Sequence, residues 1–128
     1  MGLDTYAYYG GLSPQATAEG DNMMPDHLFP PNRLCGGLFS GGGASFRGKV
    51  YNEWIEWCTN GKYTLYTEEL SENQVRDIYD ALYRKQEDTY YKRFVRETGS
   101  DITYGQTVDL LKWFEIVVDN KGVVVGWW

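Results

Sequence analysis

Residues 12–48 are the feature that most constrains the fold of this chain. They contain all four prolines of the sequence and several glycine clusters, including the runs FPPN and GGG. Long helices and strands are disfavoured there, because proline removes a backbone donor and glycine has a high entropic cost in regular structure. Loops of this length are uncommon in compact domains and are usually functional or partly disordered. We therefore expect a single domain over residues 1–128, with 12–48 as a long Gly/Pro-rich loop region.

The two ends of the chain are predicted to be strands. Residues 3–9 and 123–128 are short and rich in β-branched and aromatic side chains. In the first segment, alternation places Leu3, Thr5, Ala7 and Tyr9 on one face and Asp4, Tyr6 and Tyr8 on the other. We expect the two segments to pair with each other, because pairing would bury both of them.

Helical spacing of apolar residues begins directly after the long loop region. Residues 49–58 predict a helix that ends at Gly61, with glycine supplying the left-handed cap conformation, and residues 62–66 predict a short extended piece. Ser71 and Gln74 match a capping box at the start of the next helix. The side chains predicted to face inward in the first helix are Val50, Trp54, Ile55 and Cys58, and those predicted to face away are Asn52, Glu53 and Glu56.

The helical pattern continues to the C-terminal quarter of the chain. After a break near residues 86–88 it runs to a glycine cap at Gly99, and a final helix is predicted over residues 106–120, ended by Gly122. We expect an α+β fold: a small helical bundle of three to four helices with a minor sheet that pairs the N- and C-terminal strands. The inward side chains predicted for the final helix are Val108, Leu111, Phe114, Val117 and Val118.

The charge of the chain disfavours a direct nucleic-acid ligand. The formal net charge is -6 at pH 7, whereas proteins that bind the phosphate backbone use clustered Lys and Arg. Residues 1–46 contain Arg33 as their only Lys or Arg. An acidic surface of this kind suits a basic partner, or it simply keeps the protein soluble.

Cysteine and histidine are too sparse to predict a metal site. Cys35 and Cys58 form no CxxC motif, and His27 is the only histidine. We expect neither metal nor cofactor. No signal peptide is recognisable, and no apolar run approaches the ~18 residues that a membrane span needs. The sequence therefore predicts a cytoplasmic protein with reduced thiols and no membrane partner.

A glycine-dense loop runs into the first predicted helix within residues 36–58. Amides of glycines and of a first helical turn suit phosphate or carboxylate, and adjacent cations add charge-assisted donors. We expect a small anionic, nucleotide-like ligand here, and the residues predicted to bind it are Gly42, Gly43, Ser45, Arg47 and Lys49. The alternative is that Arg47 caps the helix or forms an ion pair with Glu53 or Asp4.

This loop matches the phosphate-binding P-loop only in part. Gly43, Gly48 and Lys49 stand in the G-x-x-x-x-G-K register, but Val50 occupies the position of the metal-binding hydroxyl. No buried strand clearly precedes the loop. We therefore do not expect nucleotide hydrolysis.

Aromatic side chains could complete the same cleft. The chain has 11 Tyr, 5 Trp and 5 Phe, enough to build a core and still supply rings that stack on a base or a sugar. Tyr51 and Trp54 are the first candidates for stacking, ahead of Trp57, Trp127 and Trp128. The alternative, and the more frequent role of such residues, is core packing.

Catalytic signals are weak. His27 is the only side chain whose ordinary pKa is near neutrality, and it lies beside Asp26 without a recognisable partner or pocket. Asp4 and Glu53 are the carboxylates closest to the predicted cleft. No catalytic residue is assigned.

Several blocks of sequence resemble a group of small uncharacterised proteins from actinobacteria and their phages. These blocks are SFRGKVYNEWIEWCTNGKYTLYTEEL, SENQVRDIYDAL, DLLKWF and the terminal GWW. The resemblance covers about the C-terminal two thirds of the chain, and the MGLD-x-Tyr opening is similar to that of many small phage proteins. Thr64 departs from the Ser of the group's Ser-Leu-Tyr block, and Ser71 stands where the group has prolines. The resemblance implies a fold and a bacterial or phage origin, without an activity.

Two functions are compatible with the sequence. The first is a non-catalytic binding protein that inhibits bacterial antiphage defence, either by sequestering a small nucleotide-like anion or by covering a host defence protein. The alternative is a small enzyme that acts on a phosphate-bearing ligand, with Arg47 and Lys49 clamping the phosphate and His27 or Asp4 transferring protons. The sequence does not determine the oligomeric state.

Overall fold

The protein has an α+β fold in which one antiparallel sheet packs against a helical layer. The structure, a computed structural model, describes residues 3–9, 24–25, 28–29 and 44–127, with only the backbone at residue 127. Within these residues the strands are β1 (Asp4–Tyr9), β2 (Ser45–Arg47), β3 (Glu69–Leu70) and β4 (Gly122–Trp127). They are arranged in the order β2-β1-β4-β3. The predicted pairing of the terminal strands is confirmed, since β1 and β4 pair antiparallel over six residues each.

The described residues contain four helices: α1 (Gly48–Cys58), α2 (Glu72–Arg84), α3 (Asp88–Thr98) and α4 (Tyr104–Asp119). The capping box at Ser71 and the left-handed cap at Gly99 are confirmed. A second capping box, in which Thr103 and Gln106 exchange hydrogen bonds, starts α4 two residues before the predicted residue 106.

The two faces of the sheet follow the predicted alternation. Ala7, Phe46 and Val124 belong to the main core with the helices, whereas Tyr6, Tyr8 and Val123 form a smaller cluster on the other face. Both sets are buried, so β1 is covered on both faces over residues 5–8. Because this second face is also buried, polar side chains of β1 and β2 that lie on it, Tyr6 and Ser45, are shielded from water.

The inward face predicted for α4 is confirmed at Phe114 and Val117, which are both 0% exposed, and wrong at the other three positions. Val108, Leu111 and Val118 are only half-buried, whereas Leu110 and Trp113 are 0% and 2% exposed. The reason is that α4 packs against α2, β4, α1 and α3 at once, so its buried face is wider than a single stripe. Trp113 occupies the centre, with ring centroids 4.7 Å from Phe46 and 5.2 Å from Phe114.

The segment after α1 also differs from the prediction. Asn52 was predicted to face solvent but is 7% exposed, because its side-chain oxygen accepts hydrogen bonds from the Leu65 amide (2.6 Å) and the Thr64 hydroxyl (3.2 Å). The extended piece predicted at residues 62–66 is a loop held by these bonds. The helix ends where predicted, but the residue directly after its C-cap, Thr59, is Asn60, which has a positive φ and supplies the left-handed conformation expected of the glycine; Gly61 follows with a second positive φ.

Candidate functional site

The residues predicted to bind an anion are divided between the edge of the sheet and the core. Gly42 and Gly43 lie outside the described residues. Ser45 and Arg47 are the first and last residues of β2, and Lys49 lies in the first turn of α1. The structure therefore brings the three polar candidates together around the junction of β2 and α1.

Tyr51 and Trp54 face the interior from α1. Tyr51 is 0% exposed and packs edge-on against Phe46 at 5.2 Å between ring centroids. Trp54 is 2% exposed, stacks on Trp57 at 5.6 Å and meets the edge of Phe94 at 5.1 Å. Both rings thus have the core-packing role that the sequence analysis set beside ligand stacking.

The register between β1 and β2 places four polar side chains on one face of the sheet. Tyr6 is directly opposite Ser45, and Asp4 is directly opposite Arg47. Directly opposed residues of an antiparallel pair have Cβ atoms about 4.5 to 5.5 Å apart, and side chains two residues apart share a face. We refer to these four residues together with Lys49 as the β2 edge.

Two hydroxyl groups of the β2 edge are buried without a hydrogen-bond partner. Ser45 is 4% exposed and Tyr6 is 6% exposed, and in the described part of the chain neither the Ser45 Oγ nor the Tyr6 OH has a partner. Leaving a buried polar group unsatisfied costs about 1 to 3 kcal/mol, and such groups in native proteins call for an explanation such as a bound ligand or water.

The Tyr6 hydroxyl is a hydrogen-bond donor at neutral pH. Its pKa is raised from 10.0 to about 12, first by burial, then by the negative charge of Asp4, and then by Tyr8. A neutral phenol can donate to an oxyanion, whereas a phenolate would repel it. Asp4 is the one unfavourable element for an anion, because its charge lies on the same face.

The cations of the β2 edge are available for a ligand. Arg47 and Lys49 are exposed, and neither forms an ion pair with an acidic side chain of the described residues. The alternative in which Arg47 pairs with Glu53 or Asp4 is therefore not observed. Arg47 is the N-cap residue of α1 but makes no side-chain capping bond, and the first turn of α1 has no acidic residue. The positive end of the helix dipole thus lies near both cations, and no acidic residue of the first turn offsets it.

Gly48 holds this junction tightly against β1. Its amide donates to the Leu3 carbonyl at 2.8 Å. A Cβ atom at this position would overlap the Thr5 hydroxyl oxygen and approach the Leu3 Cδ2 to 2.9 Å. Only glycine fits without displacement of the Thr5 and Leu3 side chains, so Gly48 serves close packing here.

A second region of interest is a groove around Trp57, between α1 and α3. Its volume is about 540 Å³, within the range of about 300 to 1,000 Å³ that is typical of ligand sites. We refer to it as the Trp57 groove, and the residues that line it are Glu53, Glu56, Trp57, Asn60, Gly61, Lys85, Arg93, Glu97 and Thr98.

The cations of the Trp57 groove have partners within the chain. The Lys85 Nζ lies 5.6 Å from the ring centroid of Trp57 and 4.6 Å from that of Tyr90. The Arg93 Cζ lies 6.0 Å from the Trp57 centroid, and its Nε is 3.3 Å from the Glu97 Oε2. The groove therefore combines cation–π contacts with an ion pair, a combination that the sequence analysis missed because its residues come from separate helices.

The remaining chemical candidates do not form a site. Asp4 lies on the β2 edge and Glu53 lines the Trp57 groove, so the two carboxylates belong to different regions. Burial raises the pKa of the Cys58 thiol, against the opposing charge of Lys85, and keeps this thiol protonated. His27, Cys35 and Trp128 lie outside the described residues.

The described residues contain no candidate metal centre and no candidate membrane span. Within 3–9, 24–25, 28–29 and 44–127, no group of three or more His, Cys, Asp and Glu side chains is arranged to hold a metal ion. No helix in this part of the chain has the length and apolar character needed to cross a membrane.

Comparison with protein-family models, with curated proteins and with solved structures gave no match.

Proposed function

We propose that this protein is a non-catalytic binding protein that holds a small anionic, nucleotide-like ligand at the β2 edge. The main support is the pair of buried hydroxyl groups, on Tyr6 and Ser45, that have no partner in the described residues. Oxygen atoms of an anionic ligand would satisfy these donors and remove the cost of leaving them unpaired. The free energy gained by forming these hydrogen bonds would contribute to the binding affinity.

The charges beside the two hydroxyls support an anion. Arg47 and Lys49 are exposed and unpaired among the described residues, and the N-terminus of α1 adds a partial positive charge. Asp4 opposes this, since it faces Arg47 in the register. The negative charge of Asp4 would repel a bound anion, so Asp4→Asn should tighten binding.

The resemblance to small actinobacterial and phage proteins supplies the biological part of this proposal. In that setting the protein acts in the bacterial cytoplasm, sequesters a nucleotide signal and thereby inhibits an antiphage defence system. Capture of a small ligand needs no catalytic group. The second branch of the proposal, contact with a host defence protein, is supported by the mixed charge of the Trp57 groove.

The test is to incubate the purified protein with a panel of mono-, di- and cyclic nucleotides. We expect one class to be retained and recovered intact after heat denaturation of the protein. Chemically altered products would instead support the alternative, an enzyme that acts on a phosphate-bearing ligand. Complete absence of retention across the panel would count against a nucleotide-like ligand.

Variants locate the binding site. The double variant Arg47→Ala/Lys49→Ala should abolish retention and change the melting temperature little, because exposed cations contribute about 0 to 1 kcal/mol to stability. Lys62→Ala/Lys112→Ala removes two exposed charges elsewhere and should retain the ligand. If the Arg47/Lys49 variant unfolds, or binds normally, the β2 edge is not the site.

A further inference from the structure

The Trp57 groove has a different charge balance from the β2 edge. It is lined by the carboxylates of Glu53, Glu56 and Glu97 and by the cations of Lys85 and Arg93. Arg93 and Glu97 form an ion pair and neutralise each other. The remaining charges are one lysine, Lys85, and the two glutamates Glu53 and Glu56, so the lining has an excess of one negative charge.

Glu53 and Glu56 are the unpaired groups of this groove. Both are exposed on α1, and neither forms an ion pair among the described residues. They are three positions apart on the helix, so their side chains are neighbours and repel each other. A cation placed between them would relieve this repulsion.

The aromatic wall of the groove already holds cations. Trp57 is half-buried and stacks on Trp54, and it is supported by Phe94 at 5.7 Å. Lys85 and Arg93 lie near its ring. The Trp57 ring is thus packed against two other aromatic rings and makes cation–π contacts with Lys85 and Arg93.

We propose that the Trp57 groove is an interaction surface for a basic segment of a partner protein, with an arginine as the occupant. A guanidinium can stack on the Trp57 ring while its N–H groups donate to the carboxylates of Glu53 and Glu56. A lysine offers the charge but not the planar fork. The net charge of -6 on the whole chain steers basic partners toward it.

Substitution of Lys85 should change the affinity for a cationic ligand and for an anionic ligand in opposite directions. Its ammonium repels an incoming cation but would attract an anion at the same place. Replacing it by glutamine should therefore tighten the binding of a basic peptide and weaken that of an acidic ligand. This prediction separates the proposed partner from a nucleotide, which would use Lys85 and Arg93 as its anchors.

The experiment titrates the full-length protein with three short capped peptides of the form Gly-X-Gly-X-Gly, in which X is Arg, Lys or Glu. The indole N–H signal of Trp57, assigned by comparison with Trp57→Phe, reports binding in the groove. We expect the arginine peptide to shift this signal, the lysine peptide to bind more weakly and the glutamate peptide not to bind. Added salt should weaken the interaction.

Matched variants test whether the effect is local. Glu53→Gln/Glu56→Gln should weaken the arginine peptide about ten-fold, since charge-assisted bonds to both carboxylates are lost. Glu115→Gln/Asp119→Asn makes the same change in net charge on exposed residues of α4 and should change affinity less than about two-fold. Equal weakening by both pairs, tighter binding of the glutamate peptide or of ATP, or weaker arginine binding in Lys85→Gln would each overturn the proposal.

Discussion

The β2 edge and the Trp57 groove differ in how their polar groups are satisfied. On the β2 edge, the hydroxyls of Tyr6 and Ser45 are buried without partners in the described residues, and the nearby cations form no ion pair there. In the groove, Lys85 lies over two aromatic rings and Arg93 pairs with Glu97. The unsatisfied hydroxyls of the β2 edge therefore lower the stability of the free protein, and a ligand that bonds to them would offset this cost.

The comparison indicates where each kind of ligand would gain most. An anion at the β2 edge would satisfy donors that have no partner among the described residues, so no hydrogen bond of these donors must be broken. A ligand in the Trp57 groove must compete with contacts that the chain already makes. The edge thus suits a small, tightly held molecule, whereas the open groove suits a partner that gains its affinity from a larger contact area.

The largest expected loss of stability comes from truncating Phe94, which packs behind the aromatic wall of the Trp57 groove. Phe94 is 0% exposed and contacts both Trp54 and Trp57, so Phe94→Ala should lower the free energy of unfolding by about 3 to 5 kcal/mol through loss of packing and a new cavity. Urea unfolding measures this. Val95→Ala, at a half-buried position of the same helix, should cost less. A loss below about 1 kcal/mol for Phe94→Ala would mean that the Trp57 wall does not depend on Phe94.

The next effect concerns the support of the β2 edge. Gly48→Ala should cost about 1 to 3 kcal/mol, because the added methyl group overlaps Thr5 and approaches Leu3. Gly105→Ala is a matched control at the start of α4, where the nearest atom would be 3.9 Å from the new Cβ, and it should be neutral or slightly stabilising. Urea unfolding of the two variants measures the difference, and equal effects would contradict the close packing at Gly48.

Removing a buried hydroxyl should change stability in opposite directions, depending on whether the hydroxyl has a hydrogen-bond partner. Ser45→Ala removes a buried oxygen that has no partner in the described part of the chain, and it should raise the free energy of unfolding by about 1 kcal/mol while weakening ligand retention. Thr107→Ala removes a buried hydroxyl that donates to the Tyr104 carbonyl at 2.6 Å and should lower stability by about 1 kcal/mol. Thermal and urea unfolding measure both. If Ser45→Ala is also destabilising, its hydroxyl has a structural role.

A further test concerns the dependence of stability on alkaline pH. The pKa of Tyr6 is about 12 in the folded state against 10.0 for a free phenol. The folded state therefore favours the protonated phenol, and the stability it contributes is complete below pH 10 and is lost as pH rises from 10 toward 12. The wild type should lose more stability than Tyr6→Phe over this interval. Tyr8→Phe should differ less from the wild type, since burial alone raises the pKa of Tyr8, and identical losses in all three proteins would indicate that Tyr6 is solvated.

Much of the fold was predictable because its signals are local. The capping box at Ser71, the glycine at Gly99 and the period of the terminal strands are read from neighbouring residues, and the structure has each of them. The capping box at Thr103 has the same kind of signal and could have been found from its spacing to Gln106.

The errors arose where tertiary contacts override local pattern. Asn52 has a polar side chain at a position that reads as exposed, yet it is buried because the backbone of the following loop needs an acceptor. Leu110 rather than Leu111 faces the core because α4 has four neighbouring elements.

Leu111→Ala should therefore cost less than the roughly 2 to 5 kcal/mol typical of a buried leucine, and Leu110→Ala should fall within that range.

The amino-acid sequence by itself determined the α+β class, the pairing of the chain ends and the presence of cations beside a glycine-rich loop, since these follow from short-range periodicity and spacing. Only the tertiary structure decided that Tyr6 and Ser45 are opposite each other in the sheet with hydroxyls that have no partner among the described residues, and that residues 53–61 and 85–98 line one groove. The physical reason is that burial and hydrogen-bond satisfaction depend on which distant segments meet, and no local pattern in the chain contains that information.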